Sequence, residues 1–122
     1  MAGARLRLPR SRRIKQRGDF SRAKANGERV VSGCLIVNLA ARAPEQGSRV
    51  GVVTSRKIGG AVERSRARRL LREAFRLHQN ELSRPLDVVL VARPSIAGKK
   101  LADVEKDFLV TLRRAKLSKT AE

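Results

Sequence analysis

"GGAVERSRARRLLREAF", residues 59–75, decides how the rest of the chain is read. Ala, Arg, Leu and Glu are strong helix formers and no Pro interrupts them, so the stretch is predicted to be helical. Yet Arg64, Arg66, Arg68, Arg69 and Arg72 crowd into it, and like charges three or four residues apart on a helix repel by about 0.2–0.5 kcal/mol per pair. Counted at about 100° per residue from Arg64, the residues Arg68, Arg72, Arg76 and Arg69 fall at about 40°, 80°, 120° and 140°. Leu71, Ala67, Ala74, Leu70 and Leu77 take the arc from about 340° back to about 220°, with Arg66 at the margin near about 200°. Such a helix lays its leucines on a sheet and turns a basic stripe outward.

The whole chain points the same way. Its 122 residues suit one domain, and 29 basic against 11 acidic side chains leave a formal charge of +18. An excess of that size calls for a polyanionic partner, nucleic acid first. Of the basic residues 21 are Arg, whose planar fork grips phosphate with two donors and stacks on bases. No apolar run is long enough to span a bilayer, and "MAGARLRLPRSRR" lacks the apolar stretch of a secretory signal. Cys34 is the single cysteine and has no partner for an internal disulfide; the expected compartment is the cytoplasm.

Residues 1–16 carry Arg5, Arg7, Arg10, Arg12, Arg13 and Lys15 without an acidic residue, and are expected to be a flexible basic arm. A domain over 17–117 and a short tail at 118–122 follow. "GDFSRAKANG", 18–27, opens on Asp19 as N-cap and closes on Asn26-Gly27, which marks a short first helix. "VVSGCLIVNLA", 30–40, and "RVGVVTS", 49–55, are β-branched, and Gly33 marks a bulge or splits the first run in two. These two runs are expected to pair as antiparallel neighbours. "LDVVLVAR", 86–93, reads as a strand buried on both faces. From Leu101, apolar residues recur at three and four, with Asp103 in the first turn and Arg113, Arg114 and Lys116 in the last, giving a C-terminal amphipathic helix. The expected fold is α+β: a small mixed sheet of about four strands packed with three helices, in the order α-β-β(-β)-α-β-α.

"SRKIGGAVERSRARRLLREAFR", 55–76, resembles the signature of the bacterial ribonuclease P protein component, in which a strand ends in Ser, two basic residues, an apolar residue and Gly, before Ala-Val and an Arg-Asn-Arg helix. "GDFSRAKANG", "RVGVVTS" and "LDVVLVARPS" are similar to that family's first helix and two of its strands, so the resemblance covers about residues 10–115. It implies a subunit that binds the catalytic RNA of ribonuclease P and assists endonucleolytic removal of 5′ leaders from precursor tRNA. The RNA and the Mg²⁺ it mainly holds would carry the chemistry. It also implies a left-handed βαβ crossover, against the common right-handed rule. Carried over by position, Arg56, Lys57, Arg64, Ser65, Arg66, Arg68, Arg69 and Arg72 would bind the RNA subunit. Arg17, Phe20, Lys24, Asn38 and Arg93 would line a cleft for the leader.

Three positions depart from that pattern: Ser65 stands for the Asn of Arg-Asn-Arg, and Lys24 and Asn38 stand where aromatics are common. Leader recognition is therefore expected to lean on phosphates, with any base stacking concentrated on Phe20, a residue that equally suits an ordinary core position. No protein-borne active site is expected. His78 is the only histidine, read as a surface or capping residue, Glu63 and Glu73 read as helix-supporting charges, and no His or Cys pair has metal-ligand spacing. Composition alone would favour a ribosomal or other structural RNA-binding protein, and a second rival is a basic DNA-binding module with the Arg helix as reading helix.

Overall fold

A computed structural model describes residues 12–14, 27–43, 45 and 47–115. β1 (Glu28–Ser32) and β2 (Leu35–Ala41) lead to β3 (Arg49–Val53), α1 (Ala61–His78), β4 (Leu86–Ala92) and α2 (Leu101–Arg114). The architecture is mixed α+β, with a four-stranded mixed sheet and two main helices. The helix expected over 18–27 falls outside the described residues but for Gly27.

The apolar run at 30–40 is two strands. Gly33, at φ 53°, and Cys34 form the two-residue turn between β1 and β2, where a positive φ favours glycine. The expected pairing of that run with the next strand is corrected: the sheet order is β1-β2-β4-β3. β4 lies between β2, to which it is antiparallel, and β3, to which it is parallel through α1. The physical reason lies in burial. β4 is apolar on both sides and so needs a neighbour at each edge and cover on each face, which only the middle of the sheet supplies.

One face of the sheet carries both helices. Val37, Val50, Val88 and Leu90 meet Leu71 and Phe75 of α1 and Phe108 and Leu112 of α2 in one core. Phe75 and Phe108 pack tilted at 50° with ring centroids 6.4 Å apart, joining the helices; such a pair contributes about 0.5–1.5 kcal/mol beyond its buried area. On the other face Ile14 and Val89 are buried with Ala40, Val53 and Val91 around them. Residues 12–14, the end of the basic arm, lie along β3: Arg13 bridges to Val50, and the Ile14 N–H donates to the Val50 carbonyl at 2.7 Å.

The face that the wheel assigned wholly to arginines is shared. Phe75, at about 20° from Arg64 by the same count, is fully buried. Arg64 and Arg68 consequently flank the buried stripe and are half-buried, while Arg66 and Arg69 are exposed. His78 is likewise no simple surface residue. It is half-buried, with Nδ1 against Glu81 and Nε2 2.7 Å from Glu105 Oε1 on α2.

Candidate nucleic-acid interface

α1 begins after Gly59, at φ 142°, and Gly60, which supplies no side-chain cap. Ahead of it Arg56–Ile58 form a 3₁₀ turn, capped by the Ser55 hydroxyl accepting from the Lys57 N–H at 3.3 Å. Arg56 and Lys57 are exposed there and Ile58 is buried. Arg64 Nη1 donates back to the Gly59 carbonyl at 2.9 Å, tying the helix to this turn.

Ser65, Arg68, Arg69, Arg72 and Glu73 line one open groove along α1. Arg68 Nη1 donates to Thr54 Oγ1 at 2.8 Å, just past β3, and Nη2 donates to Ser65 Oγ at 3.2 Å. Burial lowers the pKa of Arg72, and the neighbouring charges of Arg13 and Arg68 lower it further; the cations crowd one another. Glu73 does not relieve them, because both its oxygens are taken by Arg76, at 2.6 and 2.9 Å. That hydrogen bond and the Arg76 charge outweigh burial and hold the Glu73 carboxyl below its ordinary range. Among the described residues, no carboxylate pairs with Arg68, Arg69 or Arg72.

Arg66 lies apart from this groove. Its Nη2 donates to the Lys99 carbonyl at 2.6 Å, and it lines a separate hollow with Ile58, Glu63, Ala67 and Ile96. Thr54 is the site residue that sequence reasoning missed. Nothing in "VVTS" marks a hydroxyl that meets a guanidinium 14 residues on; only the fold brings them together.

Of the residues expected at the leader cleft, Arg17, Phe20 and Lys24 lie outside the described residues. Asn38 is buried and pairs across the ladder with Val89, on the face away from the helices. Arg93 is exposed just past β4, and its Nη1 donates to the Gly33 carbonyl at 3.1 Å. At about 3.3 Å per strand residue, it stands roughly 13 Å along β4 from the level of Asn38.

Asp87 and Cys34 have partners of their own away from the groove lining. Arg49 grips both oxygens of Asp87 at 2.8 Å, with Arg42 at 3.5 Å. Cys34 is buried, and burial, then a hydrogen bond and charge from Asp107, push its thiol pKa up to about 12. Among the described residues, no three His, Cys, Asp or Glu side chains come together as a metal-ligand set, and no helix is long and apolar enough to cross a membrane.

A small α+β domain whose helix α1 lines an open groove with arginines carries the electrostatic footprint of a nucleic-acid-binding protein. Residues 8–116 match the family described as Ribonuclease P. The chain is 40% identical over 114 residues to the ribonuclease P protein component of Desulfovibrio desulfuricans, covering 90% of this chain and 87% of the relative. It is 32% identical over 114 residues to that of Brevibacillus brevis, covering 93% and 90%. Among solved structures it resembles the RNase P protein of Staphylococcus aureus, with TM-score 0.78, 26% identity and 88% and 97% of the two chains covered. The RNase P protein from Thermotoga maritima gives TM-score 0.74 at 25% identity, covering 84% and 96%. The chain belongs to the family of bacterial ribonuclease P protein components, whose function is tRNA 5′ maturation together with an RNA subunit.

Proposed function

We propose that this chain docks on the catalytic RNA of ribonuclease P through the groove of α1, and that the RNA carries the cleavage chemistry. The observation that supports this reading most directly is the crowding of Arg68 and Arg72, with Arg69 beside them, and no carboxylate among the described residues to neutralise them. A phosphate backbone relieves that repulsion and releases its own counterions on binding. Arg56, Lys57, Arg64 and Ser65 extend the same surface toward the start of α1, and Arg66 meets the RNA from the opposite flank.

The precursor tRNA leader is assigned to Asn38 and Arg93, together with Arg17, Phe20 and Lys24, which lie outside the described residues. Mg²⁺ is assigned to the RNA: the one carboxylate in the arginine groove, Glu73, is bound by Arg76 and is unsuited to hold a cation. What the protein contributes is charge, position and a fixed surface, in a cytoplasmic ribonucleoprotein.

Reconstitution tests the assignment. The wild-type chain added to the catalytic RNA at low Mg²⁺ should restore cleavage of a precursor tRNA, and a variant with Arg68, Arg69 and Arg72 replaced by Ala should fail to do so at equal concentration. Undiminished cleavage and RNA binding by that variant would refute the groove assignment.

A further inference from the structure

Among the described residues, Arg68 is the one arginine of the groove whose guanidinium is held by two hydroxyls, one on its own helix and one just past β3. Ser65 sits one turn earlier on the same helix, so it fixes the side chain only relative to α1. Thr54 sits at the exit of β3 and is half-buried. Its β-branched side chain has few rotamers, so the backbone of the sheet determines where its hydroxyl stands. The 2.8 Å bond from Arg68 Nη1 to Thr54 Oγ1 therefore references the guanidinium to the sheet and not merely to its own helix.

A guanidinium has five N–H donors in one plane. The two hydroxyls accept one each, and the remaining N–H groups keep a set orientation in the groove beside Arg69 and Arg72. Two-pronged phosphate recognition depends on that plane being correctly turned, which separates Arg from Lys at such a site. Arg69, exposed and without a hydrogen-bond partner among the described residues, carries charge but no comparable orientation.

We infer that Thr54 is a positioning residue for RNA binding, acting by presetting the plane of Arg68 so that it meets a backbone phosphate of the RNA subunit with two donors. The inference rests on the reading of the α1 groove as the RNA face. It gives Thr54 an effect without contact to the RNA, transmitted through a single hydrogen bond.

The experiment measures equilibrium binding of the full chain to the catalytic RNA at several salt concentrations, together with the thermal midpoint of each variant. Thr54→Val keeps the shape and removes the acceptor; Thr54→Ser keeps the acceptor. Thr54→Val should weaken binding about three- to tenfold, the net worth of one ordinary hydrogen bond, and Thr54→Ser should bind as wild type. Arg68→Ala should weaken binding further and reduce the salt slope by about one unit. The double variant Thr54→Val with Arg68→Ala should bind no worse than Arg68→Ala alone. Wild-type binding by Thr54→Val while Arg68→Ala is weak overturns the positioning role, as does a double variant whose losses simply add. Wild-type affinity and slope for Arg68→Ala overturn instead the RNA-face reading beneath it. If Thr54→Val lowers the midpoint, Ser65→Ala removes the second acceptor without touching the sheet. A loss of affinity there that disappears in an Arg68→Ala background sustains the preset plane, and its absence counts against it.

Discussion

His78 near the end of α1 and Glu105 on α2 meet side chain to side chain, Nε2 2.7 Å from Oε1, although 27 residues separate them. Glu81 takes the other ring nitrogen. Burial pulls the His78 pKa down, but the hydrogen bonds and charges of Glu81 and Glu105 together outweigh it and raise the pKa above 6.5. A raised folded pKa means that the imidazolium stabilises the fold fully below the unfolded pKa, and that this contribution fades as pH rises through the folded value. His78→Ala should accordingly lower stability by about 1–2 kcal/mol near pH 6, and by less near pH 9. Urea unfolding at both pH values measures it, and an equal loss at both would show that the ion pairs contribute nothing. Cleavage by the reconstituted enzyme should persist in this variant, because the ring serves the helix pair.

Salt dependence and the thermal midpoint together distinguish Arg69 from Arg66. Arg69→Ala and Arg72→Ala should each lower the slope of log K against log salt by about one unit. Arg69→Ala should leave the thermal midpoint in place, since that side chain is exposed. Arg66→Ala removes the bond to the Lys99 carbonyl, so it should lower the midpoint as well. Filter binding across a salt series, with melting curves beside it, provides both readings.

The Cys34 thiol, buried at the turn between β1 and β2 with its pKa pushed up to about 12, should resist alkylation at pH 8. Labelling should proceed only as fast as the molecule opens, because the thiolate is the reactive form. Mass spectrometry of timed maleimide reactions follows it. Prompt modification of the native protein would mean that the turn between β1 and β2 opens locally.

Two phenylalanines should respond in opposite ways. Phe75→Ala removes a fully buried ring that packs on Phe108 and should cost about 3–5 kcal/mol of folding stability. Phe20→Ala should instead weaken binding of a precursor carrying a leader by roughly 1–3 kcal/mol, as loss of one stacked base would, and leave mature tRNA binding unchanged. Equal losses for both RNAs with a large drop in midpoint would place Phe20 in the core.

Periodicity made α1, α2 and β4 legible, because a helix or strand that buries a face must repeat its apolar residues along that face. The uninterrupted apolar middle of β4 also signalled a central strand, but the partner on each side was not encoded locally. A strand records how deeply it is buried, whereas its neighbours are chosen by chain segments far away. The wheel of α1 failed at Phe75 for a related reason. The sheet reaches partway round the helix toward Arg64 and Arg68, and the width of the buried arc depends on what it packs against. Thr54 was illegible because its role begins only when β3 and α1 are side by side. The family signature located the arginines, but it did not reveal which of them share a groove.

The insertion of β4 between β2 and β3 sets the order in which a growing chain can become structured. Arg49 and Asp87, partners in the β3–β4 ladder, are 38 residues apart, and every arginine of α1 leaves the ribosome before the strand that completes the sheet. Until Leu86–Ala92 arrive, β3 has no described strand partner beyond the Arg13 bridge, and α1 has only an incomplete platform for Leu71 and Phe75. Pairings this distant in sequence form late in folding. During synthesis the protein is thus a polycation before it is a fold, and a fragment ending ahead of Leu86 should bind RNA through its charge while failing to shape it.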